Sequence, residues 1–220
     1  MGRGKSPQEA GPGSTDHRRI SFSVKALYTL FVVVLVACYW SFYGPANFLW
    51  LCDLALLLTA VALWSRSRFL ASMQLVAVFL PSLIWLADLL TRLLTGFFLT
   101  RWTHYMFRPD IPLVIRILSL YHGWLPFFLL WMVRQLGYDG RGWIAQTLLT
   151  WVVLPICFFF TDPVRALNGV FGPSGEHPQT WTAPGWWLVL MMLCYPVCVY
   201  LPSHLVLWQV YRKKRPLRAR

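Results

Sequence analysis

Residues 69–90 read FLASMQLVAVFLPSLIWLADLL, a run of 22 residues in which Asp88 is the only charged side chain. A helix needs about 20 mostly apolar residues to cross a bilayer, so this run predicts a transmembrane helix. Arg68 and Arg92 flank the run. Five further apolar runs, each bounded by Gly, Pro or charge, lie at about residues 26–42, 47–64, 112–133, 143–160 and 186–210.

The composition agrees with a membrane protein. The chain has 220 residues, of which 57% are hydrophobic and 13% charged, whereas a soluble domain is about a quarter charged. Backbone groups in lipid must be paired within their own segment, which favours helices, and no run shows the alternation of a barrel strand. We therefore predict an all-α, polytopic bundle of six transmembrane helices spanning residues 24–210, with basic tails at 1–23 and 211–220.

The distribution of positive charge predicts the orientation. With the N-terminus in the cytoplasm, 15 of the 20 Lys and Arg residues fall on the cytoplasmic side and four on the other. Positive residues concentrate in cytoplasmic loops, so both termini are expected in the cytoplasm and the protein in the cell inner (plasma) membrane. Basic tails bind anionic head groups, which accounts for the net charge of +12 without nucleic acid. Membrane lipids are the expected partners, and the oligomeric state stays open.

Cysteine spacing and known motifs indicate no cofactor. The five cysteines lie inside apolar runs, with no C-x-x-C pair and no Cys/His metal spacing. No nucleophile elbow, phosphate loop or dinucleotide fingerprint is present. We therefore predict neither a metal nor another cofactor. The connection at residues 161–185 is longer than a simple link requires, and its aromatic residues favour an ordered lid.

Ionisable residues inside predicted spans are costly and mark candidate sites. Asp53, Asp88, Arg116 and His122 all fall in the outer half of the membrane, and with Asn47 they predict a polar pocket open to the extracytoplasmic side. Structural alternatives exist for two of them. Asp88 is spaced to pair with Arg92 on the helix surface. Arg116 either reaches the head groups or pairs with Asp53 or Asp88.

His122 lies near the middle of its span, in the sequence SLYHGWLPFF. A histidine at this depth needs a partner, and Asp53 matches it in depth, so we predict the pair within hydrogen-bond or single-water reach. Two chemistries stay open. In one, His122 activates Cys52 as a nucleophile; in the other, Asp53 orients His122 as a base for water or another nucleophile. The alternative for Cys52 is a small apolar residue of the helix.

The segments YGPANFLWLCDLALLLTAVALW, LSLYHGWLPFFLLW and GPSGEHPQTW resemble an uncharacterised family of bacterial six-helix inner-membrane proteins, from about residue 40 onward. That resemblance implies no known activity. The chain is more remotely similar to YwaF-type membrane acyltransferases and androgen-induced-type membrane hydrolases, which pair a Cys or Thr nucleophile with an intramembrane His in lipid acyl chemistry. By this similarity His122 takes the place of the histidine and Cys52 that of the nucleophile, while no Thr occupies the corresponding part of the second span.

The leading hypothesis is thus a lipid-directed acyl hydrolase or acyltransferase with an intramembrane histidine, acting on a lipid or small-molecule substrate. Two alternatives remain open: a small-solute or proton-coupled transporter, and a non-catalytic membrane accessory protein. A closed pocket with His122 facing Cys52 or Asp53 favours chemistry, and a polar path through both leaflets favours transport. The absence of both favours an accessory role.

Overall fold

The structure is a computed structural model that describes residues 20–173 and 178–212. These residues form α-helices, short 3₁₀ segments and one π-helix, with no strand among them. The α-helices are α1 Phe22–Tyr43, α2 Leu51–Ser65, α3 Arg68–Thr95, α4 Leu113–Leu118, α5 Tyr121–Leu136, α6 Gly142–Phe160, α7 Pro184–Cys194 and α8 Leu201–Arg212. The predicted tails at 1–23 and 211–220 lie mostly outside the described residues.

Five helical units in the described part of the chain are long and apolar enough to cross a membrane. Three of them are α1, α3 and α6. The fourth is α4 followed by α5, and the fifth is α7 and α8 joined by the π-helix Tyr195–Tyr200. The prediction of a helical protein rich in membrane-crossing segments is confirmed. The remaining predicted span, 47–64, is a 3₁₀ segment Pro45–Leu49 followed by α2, which has only 15 residues.

The outer surface of the bundle is apolar. Large hydrophobic side chains project from it with high exposure, among them Leu94 at 83%, Phe160 at 81% and Leu27 at 71%. Soluble monomers rarely expose apolar surface on this scale. Hydrocarbon is the solvent that suits such a surface, so the fold is that of a multi-pass membrane protein.

Helix α3 is the central element and packs against α2, α5 and α6. Its contact with α6 is very close at Gly142, where an added Cβ would lie 2.7 Å from the Met73 backbone nitrogen. Ser67 caps the start of α3 by accepting a hydrogen bond from the Leu70 amide. Gly96, at φ 79°, ends it in the left-handed conformation that glycine adopts without strain.

The connections collect at two ends of the bundle. At the long-loop end, the 161–173 segment contacts the turn after α1, because Arg165 donates to the Tyr43 carbonyl oxygen. At the short-loop end, Arg68 forms an ion pair with Asp139. The Tyr138 ring stacks on the Tyr211 ring at this same end.

Candidate functional site

Asp53 lies in the first turn of α2 and is 2% exposed. Its carboxylate accepts two short hydrogen bonds, from Asn47 Nδ2 at 2.7 Å and from the Tyr121 hydroxyl at 2.6 Å. Arg165 Nη2 in turn donates to Asn47 Oδ1 at 3.3 Å. A line of polar groups therefore runs from the 161–173 segment, through the turn before α2, to α5. Of the residues predicted to line a polar pocket, Asn47 and Asp53 are joined by a hydrogen bond.

His122 lies one residue after Tyr121, and its ring makes different contacts. Nδ1 is 2.8 Å from the Ser119 carbonyl oxygen, and the ring stacks on Trp85 of α3 with centroids 5.2 Å apart. Because a carbonyl oxygen only accepts hydrogen bonds, Nδ1 must carry the proton. The lone pair of the neutral ring therefore sits on Nε2.

Asp53 and His122 are predicted within hydrogen-bond or single-water reach; no direct hydrogen bond joins them among the described residues, and the Tyr121 hydroxyl donates to Asp53 instead. Consecutive helical residues point about 100° apart. The face of α5 that meets α2 carries Tyr121, and His122 consequently faces α3. Nor does a hydrogen bond join Cys52 to His122 among the described residues. We refer to Asn47, Asp53, Ser119, Tyr121 and His122 as the Asp53 cluster.

Tyrosines from two other elements complete the surroundings of the Asp53 cluster. The Tyr39 hydroxyl of α1 lies 2.7 Å from Ser119 Oγ. The Tyr105 hydroxyl, from the 3₁₀ segment His104–Phe107, accepts from Trp85 Nε1 at 3.2 Å. Burial raises the pKa of the Tyr105 phenol, so this group stays a protonated hydrogen-bond donor near neutral pH.

Asp88 shapes the connection between α3 and α4. Its carboxylate accepts from the backbone amides of Thr100, Arg101 and Thr103 and from the Thr103 hydroxyl, at 2.6 to 3.2 Å. Asp88 and Arg92 form no salt bridge among the described residues, because the connection between α3 and α4 supplies the hydrogen-bond partners of Asp88. Arg92 instead donates to the Gly96 carbonyl oxygen and covers the Phe98 ring.

Arg116 binds neither candidate carboxylate. Its Nη1 donates to the Met106 carbonyl oxygen at 3.2 Å, while its Nε has no hydrogen-bond partner in the described residues. Both carboxylates are already occupied, Asp53 by side chains and Asp88 by amides. Arg116 therefore supports the connection between α3 and α4, which carries Tyr105. Asp53 and Asp88 belong to separate polar centres.

Asn168 was not singled out by sequence, although it lies inside the flagged 161–185 connection. Its side chain is 4% exposed; it accepts from the Leu51 amide at 2.9 Å and donates to the Leu49 carbonyl oxygen at 2.8 Å. It therefore caps the start of α2, one turn from Asp53. The residue has a φ of 54°, a conformation that Asn tolerates better than most residues. Of this connection the structure describes residues 161–173 and 178–185.

Tyr121, Ser119 and Arg165 were also missed by the sequence reasoning. Of these three residues, Tyr121 alone had a signal in the sequence, because it is adjacent to the predicted site residue His122. Two surface cavities of about 310 and 230 Å³ are lined by other residues than those of the Asp53 cluster, one by Lys25 and Trp64 and the other by Cys38 and Pro112. Among the described residues, no group of three or more His, Cys, Asp or Glu side chains is arranged to hold a metal ion.

In comparisons with known proteins, no protein-family model, no curated protein and no solved structure matches this chain. A function for the protein therefore has to be inferred from its own side chains.

Proposed function

We propose that the protein crosses the bacterial inner membrane six times, as a member of the uncharacterised family that its sequence resembles. The support comes from α2 and its preceding 3₁₀ segment, which follow α1 along its length. The rings of Trp40 and Phe48 are 6.2 Å apart at one end, and those of Phe22 and Trp64 are 6.0 Å apart at the other. Residues 22–40 of α1 span about 27 Å, close to the hydrocarbon thickness of about 30 Å.

The short-loop end is proposed to face the cytoplasm. Arg66, Arg68, Arg134, Arg141 and Arg212 lie in or next to the connections and helix ends there, as the concentration of positive residues in cytoplasmic loops requires. The test is a pair of reporter fusions at the N- and C-termini. A reporter that is active only outside the cytoplasm should be silent at both, and activity at the C-terminus alone would contradict six crossings.

For the activity, we infer a lipid-directed acyl hydrolase or acyltransferase in which His122 is the base. The observation that carries this is the hydrogen bond from His122 Nδ1 to the Ser119 carbonyl oxygen. It fixes the tautomer that leaves Nε2 unprotonated, which is what a general base requires. The ring is only half-buried, whereas the neighbouring Tyr121 is 1% exposed. A substrate can thus approach the histidine more readily than the carboxylate.

The acyl step requires His122 Nε2 to take a proton from a nucleophile as it attacks the ester carbonyl carbon. The same proton then passes to the alcohol oxygen as the carbon–oxygen bond breaks. The nucleophile is either Cys52, giving an acyl-enzyme, or water, giving the free acid directly. The lack of a Cys52–His122 hydrogen bond in the described residues favours water in this conformation. Asp53 then holds the neighbouring Tyr121 in place and, among the described residues, forms no hydrogen bond with the base.

The test is untargeted lipid analysis of cells that lack the protein and of the same cells complemented with variants. Wild-type protein should restore the lipid profile and His122→Gln should not, while His204→Gln provides a matched control in a second histidine that stacks on Tyr138. Restoration by His122→Gln would contradict the proposed base. Cys52→Ala separates the nucleophiles, because it abolishes activity only if the thiol attacks.

A transporter is the second candidate, favoured by unsatisfied polar atoms on α3, α6 and α8. Gln74 Nε2, Gln146 Oε1 and Ser203 Oγ are buried without hydrogen-bond partners among the described residues. Unsatisfied buried groups of this kind call for an explanation, and a polar solute passing between the helices would satisfy them. Uptake of a labelled solute into proteoliposomes, reduced by Gln146→Leu and unaffected by His122→Gln, would favour transport over acyl chemistry.

The third candidate is an accessory protein without catalysis, favoured by the complete pairing of Asp53. Its partners Asn47 and Tyr121 make the carboxylate a structural anchor between α2, α5 and the 161–173 segment. In that case cells complemented with the His122→Gln variant behave like cells complemented with the wild-type protein. The lipid experiment above therefore also distinguishes this candidate from an enzyme.

A further inference from the structure

A cavity of about 310 Å³ opens at the short-loop end, far from the Asp53 cluster. It lies between the start of α1 and the end of α2. Its lining residues are Ile20, Ser21, Phe22, Lys25, Trp64 and Arg66. This volume is at the lower end of the range of small-molecule sites and is large enough for a phospholipid head group.

Lys25 supplies a positive charge to this cavity. The residue is 8% exposed, and its ammonium lies 5.2 Å from the centroid of the Trp64 ring. Within residues 20–173 and 178–212 it forms no salt bridge, and neither does Arg66, the second cation of the cavity. No carboxylate of the described residues compensates either cation of the cavity. The site therefore favours an anion.

The first turn of α1 adds to this positive potential. Its N-terminal amides point toward the start of the helix, where the helix dipole is positive. Ser21 accepts from the Ser23 amide at 3.3 Å, which satisfies one of these donors. Phosphate groups commonly bind at such helix starts. Here the helix start coincides with a cavity lined by Lys25 and Arg66, so the helix dipole and the two cations favour the same ligand charge.

The rim of the cavity is apolar and exposed. Phe22 is 72% exposed, Trp64 is 48% exposed, and their rings pack edge to face. Aromatic side chains at a helix end are typical of the boundary between head groups and acyl chains. A free phosphate ion gains nothing from these rings, whereas a phospholipid places its acyl chains along them.

We propose that this cavity binds the phosphate head group of an anionic membrane phospholipid, with Lys25 and Arg66 as its cationic ligands. Basic pockets between membrane helices are suited to such head groups. The proposal concerns a site on the opposite side of the bundle from His122 and does not depend on acyl chemistry.

The experiment is native mass spectrometry of the purified full-length protein with phosphatidylglycerol and phosphatidylcholine of the same acyl chains, at equal concentration. The wild-type protein should retain phosphatidylglycerol preferentially. Removing one cation should lower its retention about fivefold, and Lys25→Gln combined with Arg66→Gln about 25-fold. Arg134→Gln is the matched control, because Arg134 lies at the same end of the bundle without lining the cavity.

A second variant guards against misfolding. Lys25→Arg conserves the charge and should keep most of the preference, while size-exclusion elution and helical circular dichroism confirm that each variant is folded. Equal retention of phosphatidylglycerol by the wild type and the folded double variant would overturn the proposal. Inorganic phosphate provides the other arm: if it raises the melting temperature as much as phosphatidylglycerol does, the ligand is a free phosphate and the lipid assignment is wrong.

Discussion

The hydroxyl of Tyr121 donates a 2.6 Å hydrogen bond to Asp53 Oδ1, across the interface between α5 and α2. This contact joins residues 68 positions apart in the chain, and both side chains are almost fully buried. It takes the place of a direct hydrogen bond between Asp53 and His122, which is not formed among the described residues. The sequence predicts similar membrane depths for Asp53 and His122, but the two side chains form hydrogen bonds with different partners.

Tyr121→Phe is expected to destabilise the protein by about 1–3 kcal/mol, because it removes one donor from a buried carboxylate. His122→Phe should have a smaller effect on stability, since Asp53 keeps both of its partners. Thermal unfolding of the purified variants in detergent provides the measurement. If His122→Phe were the more destabilising of the two, the assignment of Tyr121 as the partner of Asp53 would be wrong.

Asn168→Ala is expected to cost about 1–3 kcal/mol. It leaves the Leu51 amide and the Leu49 carbonyl oxygen without their side-chain partner, and it puts Ala at a φ of 54°. Asn168→Gly separates these two causes, since glycine accepts that φ without strain. The Gly variant should recover part of the lost melting temperature. Full recovery would mean that the cap at the start of α2 contributes nothing.

Gly142→Ala is expected to destabilise the contact between α3 and α6 by about 1–3 kcal/mol. The new Cβ would lie 2.7 Å from the Met73 nitrogen and 3.0 Å from the Ser72 carbonyl carbon, and backbone atoms cannot rotate away. Gly185→Ala is the matched control, because nothing lies within 4 Å of its added Cβ. Equal melting temperatures for the two variants would contradict the close approach of these helices.

Asp139, in the connection between α5 and α6, predicts a pH dependence of stability. Its hydrogen bonds with Arg141, together with the nearby Arg68, hold the pKa of this carboxyl below its ordinary value of about 4. A lowered pKa means that the carboxylate stabilises the folded state above pH 4 and loses this contribution as the pH falls through the folded-state value. Both arginines are well exposed, so the contribution is about 1 kcal/mol or less.

The measurement compares melting temperatures of the wild type and Asp139→Asn over a range of pH. The wild type should be the more stable near neutral pH, and the difference should shrink below pH 4. Arg108 and Asp110 form a comparable ion pair in which both side chains are exposed. The melting temperatures of the wild type and Asp110→Asn should therefore differ less at every pH than those of the wild type and Asp139→Asn. A gap between wild type and Asp139→Asn that widens in acid would refute the sign of this effect.

The sequence by itself determined the membrane class and the positions of the helices. Five of the six apolar runs correspond to helical units long enough to cross a bilayer, because hydrophobic length is a property of the local sequence. Only α2 differs, with Pro45 and a 3₁₀ segment occupying the start of the predicted span. The flagged residues Asn47 and Asp53 do meet, since they lie within one turn-and-helix unit.

Only the tertiary structure decided which polar groups pair across helices. Depth along a helix follows from counting residues, but the direction of a side chain depends on the rotation of each helix about its axis, and packing sets that rotation. A shift of one residue, about 100°, turns Tyr121 toward Asp53 and His122 toward Trp85. The returning loops add partners that no apolar pattern encodes: backbone amides for Asp88, Met106 for Arg116, and Asn168 for the start of α2.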